Sequence, residues 1–136
     1  MSTNHFDDFE KYRRFAGVFP HDQLPNKLNP GEFGVINLDD AVGPGTHWVG
    51  FFSDKKNINY FDSFGVRPDD RTIKYLKTRK LPILYNTSDL QKIESKRCGW
   101  YVRYFLKSML SGKSFYDTLY DEFTQIPSGQ NEEIVI

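Results

Sequence analysis

With 136 residues and 18 basic against 18 acidic side chains, the chain has the length of one compact domain and a formal net charge of zero, which excludes a global field toward nucleic acid or an anionic membrane. Twelve Phe, eight Tyr and two Trp let so small a domain bury a large area per side chain, which argues against disorder. A single cysteine excludes a disulfide within the chain, and no apolar run reaches signal-peptide or membrane-spanning length, so a soluble protein of a reducing compartment is expected.

In chain order, residues 4–16 place Phe6, Phe9, Tyr12 and Phe15 three apart with acids before bases, and an amphipathic helix is expected there. Pro20, Pro25 and Pro30 punctuate residues 17–31, which read as a surface loop. Residues 33–38 form a short β-branched run, and the turn chemistry of Ala41-Val-Gly-Pro-Gly45 separates it from a second strand. Residues 47–52 and 58–62 then read as a hairpin, with His47 opening one arm and Asp62 closing the other. In an antiparallel pair those two ends are neighbours, so 15 positions of separation become contact.

Arg67-Pro68-Asp69 opens a helix of about ten residues. Leu81-Pro-Ile-Leu-Tyr85 is an apolar run whose proline assigns it a strand start or an edge. The strongest helical stripe starts near Cys98 and runs through Tyr101, Val102, Phe105, Leu106, Met109 and Leu110 to a stop at Gly112. A last helix follows Ser114, its N-cap, with Asp117 at the capping-box position. The order gives an α+β fold: a small mixed, mainly antiparallel sheet packed against a central helix with the cysteine at its N-terminus, flanked by further helices. One domain covers residues 1–126, and residues 127–136 form a tail that is either a mobile end or an added strand.

The chemistry centres on Cys98. A thiol is nucleophilic as the thiolate, and a helix start favours an anion there. His47 would act as its base and later as the acid for a leaving amine, with Asp62 on the other ring nitrogen to fix tautomer and orientation. Gln91 would donate to a developing oxyanion beside the backbone N–H of Cys98, and Gly99 leaves room for a substrate carbonyl. Each residue alone has a plainer reading: a small buried hydrophobe for Cys98, packing for His47-Trp48, the start of a turn for Asp62. His5, His21, His47 and Cys98 lack the close ligand pairs of zinc sites, so no metal or other cofactor is expected. The clusters Lys11, Arg13, Arg14 and Lys77, Arg79, Lys80 leave room for a weak nucleic-acid contact, although solvated helix faces are the plainer reading.

Taken together, Gly45-Thr-His47-Trp48-Val49, Phe61-Asp62-Ser-Phe-Gly65 and Gln91 before Cys98-Gly99-Trp-Tyr resemble the adenovirus protease family, which includes the SUMO- and ubiquitin-like-protein-specific cysteine proteases. The lead-in Asn37-Leu38-Asp39 is similar to that of virophage and Maverick-type viral maturation proteases. The resemblance implies catalytic His47, Asp62, Cys98 and Gln91, with Trp48 covering the cleft beside the histidine. It also implies an endopeptidase cutting near glycine, at Gly-Gly or Gly-X sites, in viral capsid or core precursors during virion maturation. Such an enzyme is expected in the virion and in the host cytoplasm or nucleus, as a monomer with no membrane partner. The alternatives are an isopeptidase for ubiquitin-like modifiers and a catalytically silent binding module of the same fold. With Cys98 used for catalysis no cysteine remains to tether an activating peptide, and the neutral charge does not suit a DNA cofactor.

Overall fold

The computed structural model describes the backbone of residues 3–38, 47–87, 98–122 and 131–134; side chains are described for residues 6–38, 47–87 and 99–120. A six-stranded mixed sheet forms the middle layer, with strands side by side in sequence order. They are β1 (Phe15–Pro20), β2 (Phe33–Asn37), β3 (Trp48–Ser53), β4 (Ile58–Phe61), β5 (Ile83–Asn86) and β6 (Asn131–Ile134). β1 runs parallel to β2 and β4 parallel to β5, while the β2–β3, β3–β4 and β5–β6 pairs are antiparallel. Helix α1 (Asp70–Leu76) makes the crossover from β4 to β5; α2 (Cys98–Leu110) and α3 (Phe115–Glu122) follow β5. The α+β class, the mixed sheet and the helix headed by Cys98 are as expected from sequence.

Residues alternate across the sheet because successive strand side chains point to opposite faces. Val35, Trp48, Phe61 and Leu84 join Val102, Phe105, Leu106 and Met109 of α2 and Phe115 and Leu119 of α3 in one core. Their strand neighbours Ile36, Val49, Tyr60, Ile83 and Tyr85 join Tyr75 and Leu76 of α1 in the other. Gly50 faces α2: a Cβ there would stand 3.0 Å from Val102 Cγ1 and 3.1 Å from Phe105 Cδ2. The missing side chain sets how closely the helix headed by Cys98 approaches β3.

The N-terminal expectation is corrected. Residues 4–16 are not one α-helix: a 3₁₀ helix spans Thr3–Phe9 and β1 begins at Phe15. The three-residue spacing of the aromatics matches the 3.0-residue period of a 3₁₀ helix rather than 3.6. Phe9 and Phe15 then converge on Phe33, at ring-centroid distances of 6.0 and 5.3 Å, which requires the chain to turn. β1 also replaces the first part of the loop expected over 17–31. Its pairing with β2 slips between Phe15 and Gly17, where Gly17 adopts φ +133°, so the strand carries no alternating pattern to read.

Other elements fall where the pattern puts them. Asp69 caps α1 by accepting from Thr72 N at 2.8 Å, and Ser114 Oγ accepts from Asp117 N at 3.1 Å. Pro82 stands just before β5 and uses its carbonyl, which accepts from Ile58 N at 2.8 Å, so the proline marks a strand start. Gly112 ends α2 with φ +98°. Within the tail, Asn131–Ile134 pairs with β5, the added-strand alternative. No described helix is long and apolar enough to cross a membrane.

Candidate active site

The β3–β4 ladder, closed by Gly50 opposite Phe61, delivers the residues just beyond each strand to one end of the sheet. There His47 Nε2 lies 2.8 Å from Asp62 Oδ1. The same Oδ1 accepts from Phe64 N at 2.9 Å, so Nε2 is the donor in this pair and the neutral ring is left with Nδ1 as its acceptor. Nδ1 is shielded from solvent. The Asp62 side chain is 1% exposed and that of His47 17%, a setting in which the pair is little screened by water.

Asp62 is held by more than its carboxylate. Asn86 at the end of β5 accepts from Asp62 N at 3.0 Å and donates through Nδ2 to Asp62 O at 2.7 Å. Gly65 N also donates to Asp62 O at 2.8 Å, closing a tight turn in which Gly65 takes φ +70°. The turn brings Phe64 over the imidazole, with ring centroids 4.7 Å apart and planes at 21°. His47 is thus fixed by a carboxylate at its edge, a ring on its face, and its own backbone, whose carbonyl accepts from Leu38 N at 2.9 Å.

Of the residues picked from sequence, the structure brings His47 and Asp62 together. Cys98 is the first residue of α2, which packs on β3, and Gly99 is buried in its first turn. The Cys98 side chain, Gln91 and the loop over 39–46 lie outside the described residues. Trp48 is 3% exposed within the α2-side core, its ring 5.6 Å from that of Phe6, so it is covered rather than open. Sequence reasoning missed two positions. Asn86, 2% exposed, is a polar residue directly after the apolar run Leu81-Pro-Ile-Leu-Tyr85, but nothing in that local pattern tied it to Asp62. Phe64 lay inside the quoted Phe61–Gly65 motif, but no pattern tied it to the histidine. Among the described residues no group of His, Cys, Asp and Glu could hold a metal ion.

The described residues therefore place a buried carboxylate–imidazole pair at one end of a mixed sheet whose strand β3 packs on the helix that begins with Cys98. The comparisons place the fold more closely. The structure matches the selenomethionine crystal structure of the African swine fever virus protease with a TM-score of 0.62 at 19% identity, covering 88% of this chain and 61% of that one. In sequence, 94 residues are 30% identical to the cysteine protease of African swine fever virus (Tick/Malawi isolate), over 60% of this chain. The chain spans about a third (34%) of that relative's length. No family model matches the chain.

Proposed function

We propose that this chain is a viral cysteine endopeptidase that cuts near glycine, at Gly-Gly or Gly-X sites, in capsid or core precursors during virion maturation. The observation that carries the reading is the 2.8 Å His47–Asp62 contact, set in the fold of a viral cysteine protease with Cys98 heading α2. In this mechanism the Cys98 thiolate adds to the scissile carbonyl carbon, forming the S–C bond and pushing the carbonyl electrons onto oxygen. Gln91 and the Cys98 N–H donate to that oxyanion. As the carbonyl re-forms, the C–N bond breaks and the His47 imidazolium protonates the leaving amine. His47 then takes a proton from water, whose oxygen attacks the thioester and releases the acid and the thiolate. Asp62 stabilises each imidazolium and keeps the proton on Nε2.

Gly99 would leave room for the scissile carbonyl, and Trp48, next to His47 in sequence, would cover the cleft beside the histidine. The enzyme would act as a monomer in the virion and in the host cytoplasm or nucleus. Lys11, Arg13, Arg14, Lys77, Arg79 and Lys80 would give at most a weak nucleic-acid contact. Arg14 already donates to Pro30 O at 2.8 Å, and Arg79 to Ser53 Oγ at 3.2 Å. The test is cleavage of a Gly-Gly-containing virion precursor by wild type and by Cys98→Ala. Cleavage lost in the variant is expected; cleavage retained would sink the assignment.

A further inference from the structure

The His47–Asp62 contact fixes one edge of the imidazole and leaves the plane of the ring to be decided elsewhere. The last torsion of a histidine side chain turns about an sp³–sp² bond with a broad, roughly two-fold preference, so torsional energy alone does not choose that plane. Nor does the carboxylate. Nδ1 stands farther from the Cβ–Cγ axis than Nε2 does, so turning the ring swings Nδ1 through the wider arc while the 2.8 Å bond at Nε2 only bends. A hydrogen bond tolerates such bending and weakens steeply only below about 120°. Yet Nδ1 is the atom left to take a proton once Nε2 donates to Asp62, and proton transfer depends on its direction.

Phe64 supplies the restraint on the plane. Its ring lies on the imidazole at a centroid separation of 4.7 Å with planes 21° apart, an offset-stacked arrangement favoured by aromatic pairs. The ring is itself held. Phe64 N donates to Asp62 Oδ1 at 2.9 Å, the same oxygen that meets His47 Nε2, so the Phe64 backbone and the imidazole share one acceptor. Gly65 N closes the turn onto Asp62 O at 2.8 Å, and Gly65 takes φ +70°, which glycine adopts at no steric cost. From β5, Asn86 accepts from Asp62 N and donates to Asp62 O. Carboxylate and phenyl ring therefore act as one unit, gripping the imidazole by its edge and its face.

We infer that Phe64 is a positioning residue: its flat face sets the plane of the His47 imidazole and with it the direction of Nδ1. The consequence for Cys98 rests on the protease reading; the hold on the imidazole does not. Plain packing makes a different demand. Phe64 is half-buried, and if its ring only covered apolar surface a leucine would serve nearly as well, whereas a face-to-face restraint needs a planar group.

In full-length Cys98→Ala protein, NMR should show Overhauser contacts between the ring protons of Phe64 and those of His47; their absence overturns the proposal. Alkylation of Cys98 by iodoacetamide at pH 6 is then timed in wild type, Phe64→Leu and Phe64→Tyr. Phe64→Leu keeps the apolar bulk without the flat face and should slow alkylation about tenfold, since a small misplacement of a reacting group can cost up to about a hundredfold. Phe64→Tyr should restore the rate to within about twofold of wild type. On a Gly-Gly-containing precursor the loss in Phe64→Leu should fall on kcat, with KM changed by less than about twofold. Equal alkylation rates for Phe64→Leu and wild type, or equal losses in both variants, overturn the proposal. Slow, His47-independent alkylation of wild type with the Overhauser contacts present removes the protease reading and leaves the hold on the imidazole standing.

Discussion

The two faces of the sheet are built from different aromatic residues. Under α2 and α3 the buried rings are Phe6, Phe9, Phe33, Phe61, Phe105 and Phe115 with Trp48; under α1 they are Phe51 with Tyr60, Tyr75 and Tyr85. Phenylalanine has no polar atom to satisfy, so its rings interlock freely, as where Phe105 stacks on Phe61 at 5.1 Å and meets Phe115 edge-on at 5.8 Å. Tyrosine brings a hydroxyl that must find a partner or stay unsatisfied. The phenylalanine face holds the helix headed by Cys98 in one place. The tyrosine face is braced by polar contacts at its rim, and there a cleft opens between α1 and the β1–β2 connection.

The contrast is broken most severely from the phenylalanine side. Phe105→Ala should cost about 3–5 kcal/mol in chemical denaturation, because it empties the contact between α2, α3 and the sheet. Gly50→Ala should cost about 1–3 kcal/mol by forcing α2 off β3, and it should lower kcat more than it raises KM if the helix sets the nucleophile. A similar loss, about 1–3 kcal/mol, is expected for Asn86→Ala, which strips the Asp62 backbone of two partners where the faces meet at the site. If Asn86→Ala left both stability and the His47 pH profile unchanged, the bracing of Asp62 would not matter.

On the tyrosine face the same logic has the opposite sign. Tyr75→Phe should be neutral or stabilising by up to about 1 kcal/mol, since it removes a buried hydroxyl without a partner. Desolvation raises the Tyr60 and Tyr75 phenols, helped by Asp62 and Asp69 for Tyr60 and by Glu32 for Tyr75. The unfolded chain therefore releases these protons first, and stability should fall as pH rises above about 10, less steeply in Tyr75→Phe. The smallest effect belongs to the ion pair that ties the N-terminal 3₁₀ helix to α2. Arg103 holds Asp8 through two bonds of 2.5 and 2.6 Å, and that hydrogen bonding lowers the Asp8 carboxyl. Its contribution is present above about pH 4 and fades as pH falls through the lowered value. With the Asp8 side chain 42% exposed, Asp8→Asn should cost no more than about 1 kcal/mol, measured at pH 7.

Much of the site was legible because hairpin geometry is local. A histidine opening one arm and an aspartate closing the other must meet at the sheet end, and the 2.8 Å contact follows from that register. The apolar stripe of α2 and the caps Asp69 and Ser114 were likewise written in short-range patterns. Phe64 and Asn86 were not, since the ring reaches the imidazole through a turn and the amide reaches Asp62 from a strand 24 residues away.

By itself, then, the sequence determined the strand–turn–strand unit that joins His47 to Asp62 and the helix that starts at Cys98, since propensity, period and capping act over a few residues. Tertiary structure decided the rest. Residues 15–20 became a strand because β2 offered a paired edge and Phe33 a ring to pack on, although their own pattern contains no alternation. The division of the core into a phenylalanine face and a tyrosine face also exists only once the sheet is assembled, because which ring meets which helix depends on how six strands align.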